Sequence, residues 1–127
     1  MGIMVEERTR EVYTSVPDEV FEYSGSEEKR KIVESLKRLQ GGFVSGYKLA
    51  KQCGYKTGGT QVELRKAIAE LIEEGIPIIG NVKGFGLARS EPMIDHYIES
   101  LTERILGIQR RINALKRIKK QWQKKIV

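Results

Sequence analysis

Apolar positions along the chain fall into blocks with helical spacing, separated by glycine-rich breaks. Ile32, Val33, Leu36 and Leu39 recur at intervals of three and four behind Ser26-Glu27-Glu28-Lys29, which is the signature of one buried helix face. Ser26 suits the cap position, and Glu27 and Glu28 suit the positive end of the helix dipole. Gly41-Gly42 is the expected stop. Phe43-Val44 is a short apolar link or a brief strand. Ser45 caps a second, short helix from Gly46 to about Cys53, with Leu49 and Ala50 turned inward and Gly54 ending it. After the turn Tyr55-Lys56-Thr57-Gly58-Gly59, Thr60 and Glu63 have the spacing of a capping box. A third helix is therefore expected from Thr60 to Glu74, with Leu64, Ala67, Ile68, Leu71 and Ile72 as its apolar face and Gly75 as terminator.

The periodicity then changes. Ile76-Pro77-Ile78-Ile79-Gly80 and Phe85-Gly86-Leu87-Ala88 flank Asn81-Val82-Lys83-Gly84, which predicts a β-hairpin. Asn-x-x-Gly is a looser signal than Asn-Gly and leaves the turn type open. Ser90 and Pro92 mark the start of a long helix. From Pro92 to Lys124 such a helix is about 50 Å long at ~1.5 Å per residue, more than one small domain can cover. Along it Ile94, Ile98, Leu101, Ile105, Ile108, Ile112 and Leu115 are spaced alternately by four and three, a heptad seam that calls for a partner helix. With Ile98, Ile105 and Ile112 at a, isoleucine at a and some leucine at d favour a two-stranded pair, a homodimer, while isoleucine at d leaves higher orders open. Lys119 and Trp122 occupy the next a and d positions, so the seam weakens after Leu115. In a parallel pair Arg111 at g would face Lys116 at e, which is repulsive and leaves antiparallel pairing open.

The chain has 127 residues and a formal net charge of +6, enough for one small domain with appendages. Charge is distributed unevenly. Glu6, Glu7, Glu11, Asp18, Glu19, Glu22, Glu27 and Glu28 crowd the first part, against Arg8 and Arg10. Beyond Glu103 there are only bases: Arg104, Arg110, Arg111, Lys116, Arg117, Lys119, Lys120, Lys124 and Lys125. Three regions follow: an acidic, partly ordered arm over 1–25, within which Val20, Phe21 and Tyr23 form a short strand or dock; a domain over 26–90; and a heptad helix with a basic tail over 91–127. A single cysteine, Cys53, and a single histidine, His96, exclude an intrachain disulfide and a Cys/His metal site. Cys53 reads as a small core residue and His96 as an exposed helix position. Gly84-Phe85-Gly86 lacks the third glycine and the following helix of a nucleotide loop. No catalytic constellation, metal site or small-molecule cofactor is expected. Nor is a membrane span, a signal peptide or, with Glu6 where a hydroxyl residue is needed, a myristoylated Gly2. An intracellular protein is expected: cytoplasmic, at the nucleoid or in a host cytoplasm if viral.

Three helices followed by a hairpin is the order of a winged helix, so the expected fold is mainly α: three helices plus a β-hairpin wing, followed by a long C-terminal coiled-coil helix. The second and third helices form a helix-turn-helix, whose second member presents its N-terminal end to the major groove. Thr60, Gln61 and Arg65 lie at that end, with Lys56 and Thr57 just before it. Glutamine and arginine are matched to adenine and guanine edges, while Lys48, Lys51 and Lys66 suit phosphates. The stretches Val44-Ser-Gly-Tyr-Lys-Leu-Ala50, Leu64-Arg-Lys-Ala-Ile-Ala-Glu-Leu71, Glu74-Gly-Ile-Pro-Ile78 and Lys83-Gly-Phe-Gly-Leu87 resemble the N-terminal DNA-binding domain of the biotin operon repressors. The resemblance spans Ile32 to Leu87. It implies that Thr60 begins the recognition helix and that Lys83 sits at the wing tip. The turn Lys56-Thr-Gly-Gly59 is longer than the family's, and the ligase domain is missing, so no biotin chemistry is carried over. The expected function is binding of double-stranded DNA by a prokaryotic or viral transcription regulator. A viral replication or packaging factor and a protein-interaction adaptor are the alternatives.

Overall fold

Residues 18–126 are described by a computed structural model; most of the acidic arm, residues 1–17, lies outside the described residues. The chain divides into two compact units, one ending at Ile94 and one beginning at Asp95. The first opens with a 3-10 turn, Asp18–Phe21, followed by α1 (Glu27–Lys37), α2 (Gly46–Cys53), α3 (Val62–Glu73) and the strands β1 (Ile78–Asn81) and β2 (Gly84–Leu87). The helix α4 (Glu91–Ile126) begins in the first unit and makes up the second. The described chain is thus mainly helical, with four α-helices and one two-stranded antiparallel sheet. Among the described residues no helix is long and apolar enough to cross a membrane.

Local chemistry accounts for most element ends. Ser26 Oγ accepts a hydrogen bond from Lys29 N at 3.4 Å, Ser45 Oγ from Lys48 N at 3.2 Å, and Ser90 Oγ from Met93 N at 3.4 Å. Each satisfies a backbone donor that a helix start would otherwise leave open. Gly54, with φ +79, closes α2 in the left-handed region, where glycine carries no Cβ penalty. Helix α1 stops at Lys37, sooner than the glycine pair suggests. Gln40 (φ 48) is already left-handed ahead of Gly41, so Leu39 packs on the core from a turn.

The start of α3 corrects the expected capping box. Thr60 is not the cap and Glu63 does not reach back. Gln61 holds the cap position in a left-handed conformation (φ 52, ψ 55) without a side-chain cap bond, and the helix begins at Val62. The cause is the tight turn before it. Gly59 is itself left-handed (φ 59), and Gln61 N bonds to Gly58 O at 3.2 Å, so Thr60 is curled inside a turn instead of entering extended as a side-chain cap must. Glu63 pairs with Lys56 at 3.5 Å instead. Ile72 is a second correction. It is 40 % exposed, because it lies about 100° round the helix from Leu71 and so beyond the buried stripe.

The hairpin pairs Ile78 with Leu87 and Asn81 with Gly84, leaving Val82 and Lys83 as a two-residue loop. Asn81 Oδ1 accepts from Lys83 N at 2.8 Å, while the positive φ of the turn falls on Gly84 (φ 127). Phe43-Val44 supplies one bridge, not a strand: Val44 N donates to Phe85 O at 2.9 Å, and Phe85 N to Val44 O at 2.8 Å. A Cβ at Gly84 would collide with the Val44 carbonyl. Glycine is therefore required there for space as well as for φ.

Phe21, Ile32, Val33, Leu36, Leu49, Leu64, Leu71, Ile78 and Leu87 are almost wholly buried and form the centre of one core. Phe21 docks from the end of the acidic arm, out of a 3-10 turn and not a strand. With Tyr23 partly buried beside it, the packed unit begins upstream of Ser26. Arg89 holds this segment in place: its Nη1 lies 2.8 Å from Asp18 Oδ1, and its guanidinium stands 4.7 Å from the Phe21 ring centroid. Cys53 is buried and 3.6 Å from Ser35 Oγ; burial pushes its thiol pKa up, away from the reactive thiolate. Lys29 bridges Glu70 at 2.7 Å and Glu74 at 3.3 Å, joining α1 to the end of α3. The hydrogen bond from Lys29 holds the Glu70 carboxyl below its ordinary pKa. Its contribution to stability is therefore present above the unfolded value and lost as pH falls through the lowered one.

Truncating Phe21 to alanine should cost about 3–5 kcal/mol of unfolding free energy, the usual loss for a buried phenylalanine; a change below ~0.5 kcal/mol in urea titration would place it in a dispensable arm. Gly84→Ala should cost at least about 1–3 kcal/mol in the same assay, through backbone strain and the Val44 clash.

Candidate nucleic-acid interface

Three segments meet at the N-terminal end of α3. The left-handed Gln61 directs its amide back into the preceding turn, where Nε2 donates to Thr57 O at 3.0 Å and to Gly59 O at 2.9 Å. Arg65, one turn further on, donates from Nε to Thr60 O at 2.6 Å. Its guanidinium stands over the Phe85 ring, 5.3 Å from the centroid. The start of α2 closes the group. A Cβ at Gly46 would lie 3.1 Å from Gln61 Oε1 and 3.4 Å from Phe85 Cε2, so a bare backbone lets α2 approach both.

This arrangement sorts the expected site residues. Thr57, Thr60, Gln61 and Arg65 are joined directly by these hydrogen bonds. Gln61 is a turn organiser, not a free adenine reader, because both hydrogens of Nε2 are used within the chain and bidentate recognition needs one of them. Arg65 is exposed, and its Nε anchor and ring contact hold the side chain while Nη1 and Nη2 make no hydrogen bond among the described residues. A guanidinium held this way loses little freedom when it grips a planar anion or a base edge. Lys56 and Lys66 are exposed but face acids: Lys56 meets Glu63, and the charge of Lys66 helps lower the Glu70 pKa. Lys48, Lys51 and Lys83 are exposed and enter no ion pair among the described residues, with Lys83 in the hairpin loop.

Sequence reasoning missed two features here. One is Phe85, assigned only to a strand, which forms the platform under Arg65. Nothing local announces that pairing, because the residues are twenty positions apart in sequence. The other is exposed apolar surface: Tyr47 on α2, Val62 at the head of α3 and Val82 in the hairpin loop are all more than half exposed.

On α4 the expected oligomerisation residues Ile94, Ile98, Ile105, Ile108, Ile112 and Leu115 are exposed, and Leu101 is half-buried. Leu106, Ile118 and Trp122 are exposed on the same helix. His96 is also exposed, as expected. No protein-family model matches the chain, and no curated protein and no solved structure is significantly similar to it.

Because Arg65 is solvent-facing, Arg65→Ala should change unfolding free energy by less than about 1 kcal/mol, the scale of an exposed cation–π contact. A larger loss in thermal or urea unfolding would make Arg65 a structural residue.

Proposed function

We propose that residues 18–94 act as a winged-helix module that binds double-stranded DNA, with α3 as the reading helix and the β1–β2 hairpin as the wing. The reading rests first on Arg65: an exposed guanidinium, anchored on Thr60 O and Phe85, at the N-terminal end of the second helix of a helix-turn-helix pair. Bidentate contact to guanine is the base contact this geometry suits best. Lys48, Lys51 and Lys83 are the phosphate-binding candidates, since no acid neutralises them among the described residues. Thr57, Thr60, Lys56 and Lys66 have supporting roles: Thr57 and Thr60 shape the turn, and the two lysines add cationic charge near paired acids. The resemblance to the biotin operon repressors belongs to this proposal and extends to the DNA-binding module alone.

A transcription regulator acting as a homodimer through α4 is the biological role we favour, in the cytoplasm of a prokaryote or of a host cell if the protein is viral. A replication or packaging factor would use the same surface. One observation favours a second reading, a protein-binding adaptor. Val62 and Val82 are 70 % and fully exposed, and apolar tips on α3 and the hairpin suit a protein partner as well as a groove.

Duplex binding measured by fluorescence anisotropy over a salt series decides between them. The wild type should bind duplex DNA at low salt and weaken linearly in log–log form as salt rises. Arg65→Ala should cost roughly 1–3 kcal/mol on a preferred sequence, and Lys83→Ala should reduce the salt slope by about one. Absence of any duplex binding at low salt would refute the DNA reading and leave the adaptor.

A further inference from the structure

We propose that α4 pairs with α4 of a second copy in an antiparallel sense, centred between Leu106 and Gly107. The inference deepens the proposed dimer by assigning its orientation and register, and it rests on the charge pattern and exposed seam of α4.

The charge pattern argues against the parallel alternative. Residues 91–103 contain Glu91, Asp95, Glu99 and Glu103 and no lysine or arginine, whereas 104–125 contain nine bases and no acid. Parallel, in-register pairing stacks acid on acid and base on base. It sets Arg111 against Lys116 on both flanks and Lys119 against Lys119 across the seam, where desolvation makes like charge most costly. Reversing one helix removes the Lys119 pair and sets the acidic stretch of each copy level with the basic stretch of the other. The two helix dipoles also oppose each other favourably in this arrangement.

The seam itself gives the register. In an antiparallel pair a positions face d positions, so Ile98 meets Leu115 of the second copy, Leu101 meets Ile112, and Ile105 meets Ile108. By symmetry this makes six apolar layers, built from side chains of which all but half-buried Leu101 are exposed in the single chain. On one flank Asp95 then lies beside Lys116 of the second copy, twice over. Arg104 beside Arg111 is the like-charge contact of the other flank, and both are exposed arginines whose heads can part into water. Ile118, 41 % exposed and off the heptad seam next to Lys119, comes level with Tyr97 and extends the apolar contact past Leu115. At ~1.5 Å per residue, the points where the two chains enter the coil at Ile94 lie about 37 Å apart along it.

Sedimentation of the full-length protein on dilution tests the pairing without DNA, so its outcome is independent of duplex binding. Lys116→Asp and Asp95→Lys should each weaken the dimer roughly tenfold, and the double variant should return to within about threefold of wild type. In a parallel pair Lys116→Asp would relieve the clash with Arg111, so a tighter dimer with that variant overturns the proposal, as does a monomer at high micromolar concentration. Oxidative cross-linking gives a second readout, with the wild type and its buried Cys53 as control. Leu101→Cys mixed with Ile112→Cys should form a disulfide between unlike chains. Efficient cross-linking of either variant with itself alone would instead establish the parallel arrangement.

Discussion

The paired hydrogen bonds between Val44 and Phe85 are the constraint on which the first unit turns. They fasten the hairpin to the link just ahead of α2 at a point where only glycine fits at position 84. Two backbone bonds contribute modestly to net stability, but they fix position. They bring the Phe85 ring to the open end of α3, next to the bare backbone of Gly46. Together with core side chains such as Ile78 and Leu87, that bridge positions the hairpin and with it the Phe85 platform under Arg65. A single bridge at the α1–α2 link therefore couples sheet, helix pair and candidate interface.

The chemistry of that interface is one of held side chains. Gln61 and Thr60 commit amide and carbonyl groups to shaping the turn, and the turn in turn anchors Arg65. Such a site trades the number of free polar groups for the placement of one. An arginine is suited to this role, since its fork remains functional after one nitrogen is used as an anchor. The acids on α3 are mostly accounted for within the fold: Glu63 meets Lys56, and Glu70 meets Lys29 at 2.7 Å. What α3 offers outward is thus less acidic than its composition suggests, while its exposed valine keeps a protein partner within the chemistry of the surface.

The second unit follows a different logic. Residues 95–126 form a single helix with little to bury against itself, and its exposed apolar seam is what the proposed pairing rests on. Its charge is segregated along the axis, acidic first and basic last. Within one isolated helix this polarity already suits the macrodipole, with acids near the N-terminus and bases near the C-terminus. Between two helices it becomes an orientation signal, since like-charged halves repel at any register that aligns them.

Much of this architecture is legible in the amino-acid sequence itself. Ser26, Ser45, Ser90, Gly54 and Gly75 marked helix ends correctly because capping is decided by a few neighbouring atoms. The buried stripes of α1 to α3 followed from spacing, Ile72 excepted, and the heptad of α4 is a property of sequence alone. Tertiary structure decided what depends on distant contacts or on competition between local ones. The Thr60–Glu63 box lost to a glycine turn that leaves Gln61 left-handed. Phe21 and Tyr23, embedded in an acidic stretch, packed on the core beside an ion pair between Asp18 and Arg89, which are 71 positions apart. Phe85 became a platform for Arg65 only once the chain had folded back on itself. Local preferences act over a turn or two and can be read residue by residue, whereas close packing brings together side chains whose separation in sequence carries no signal of their contact.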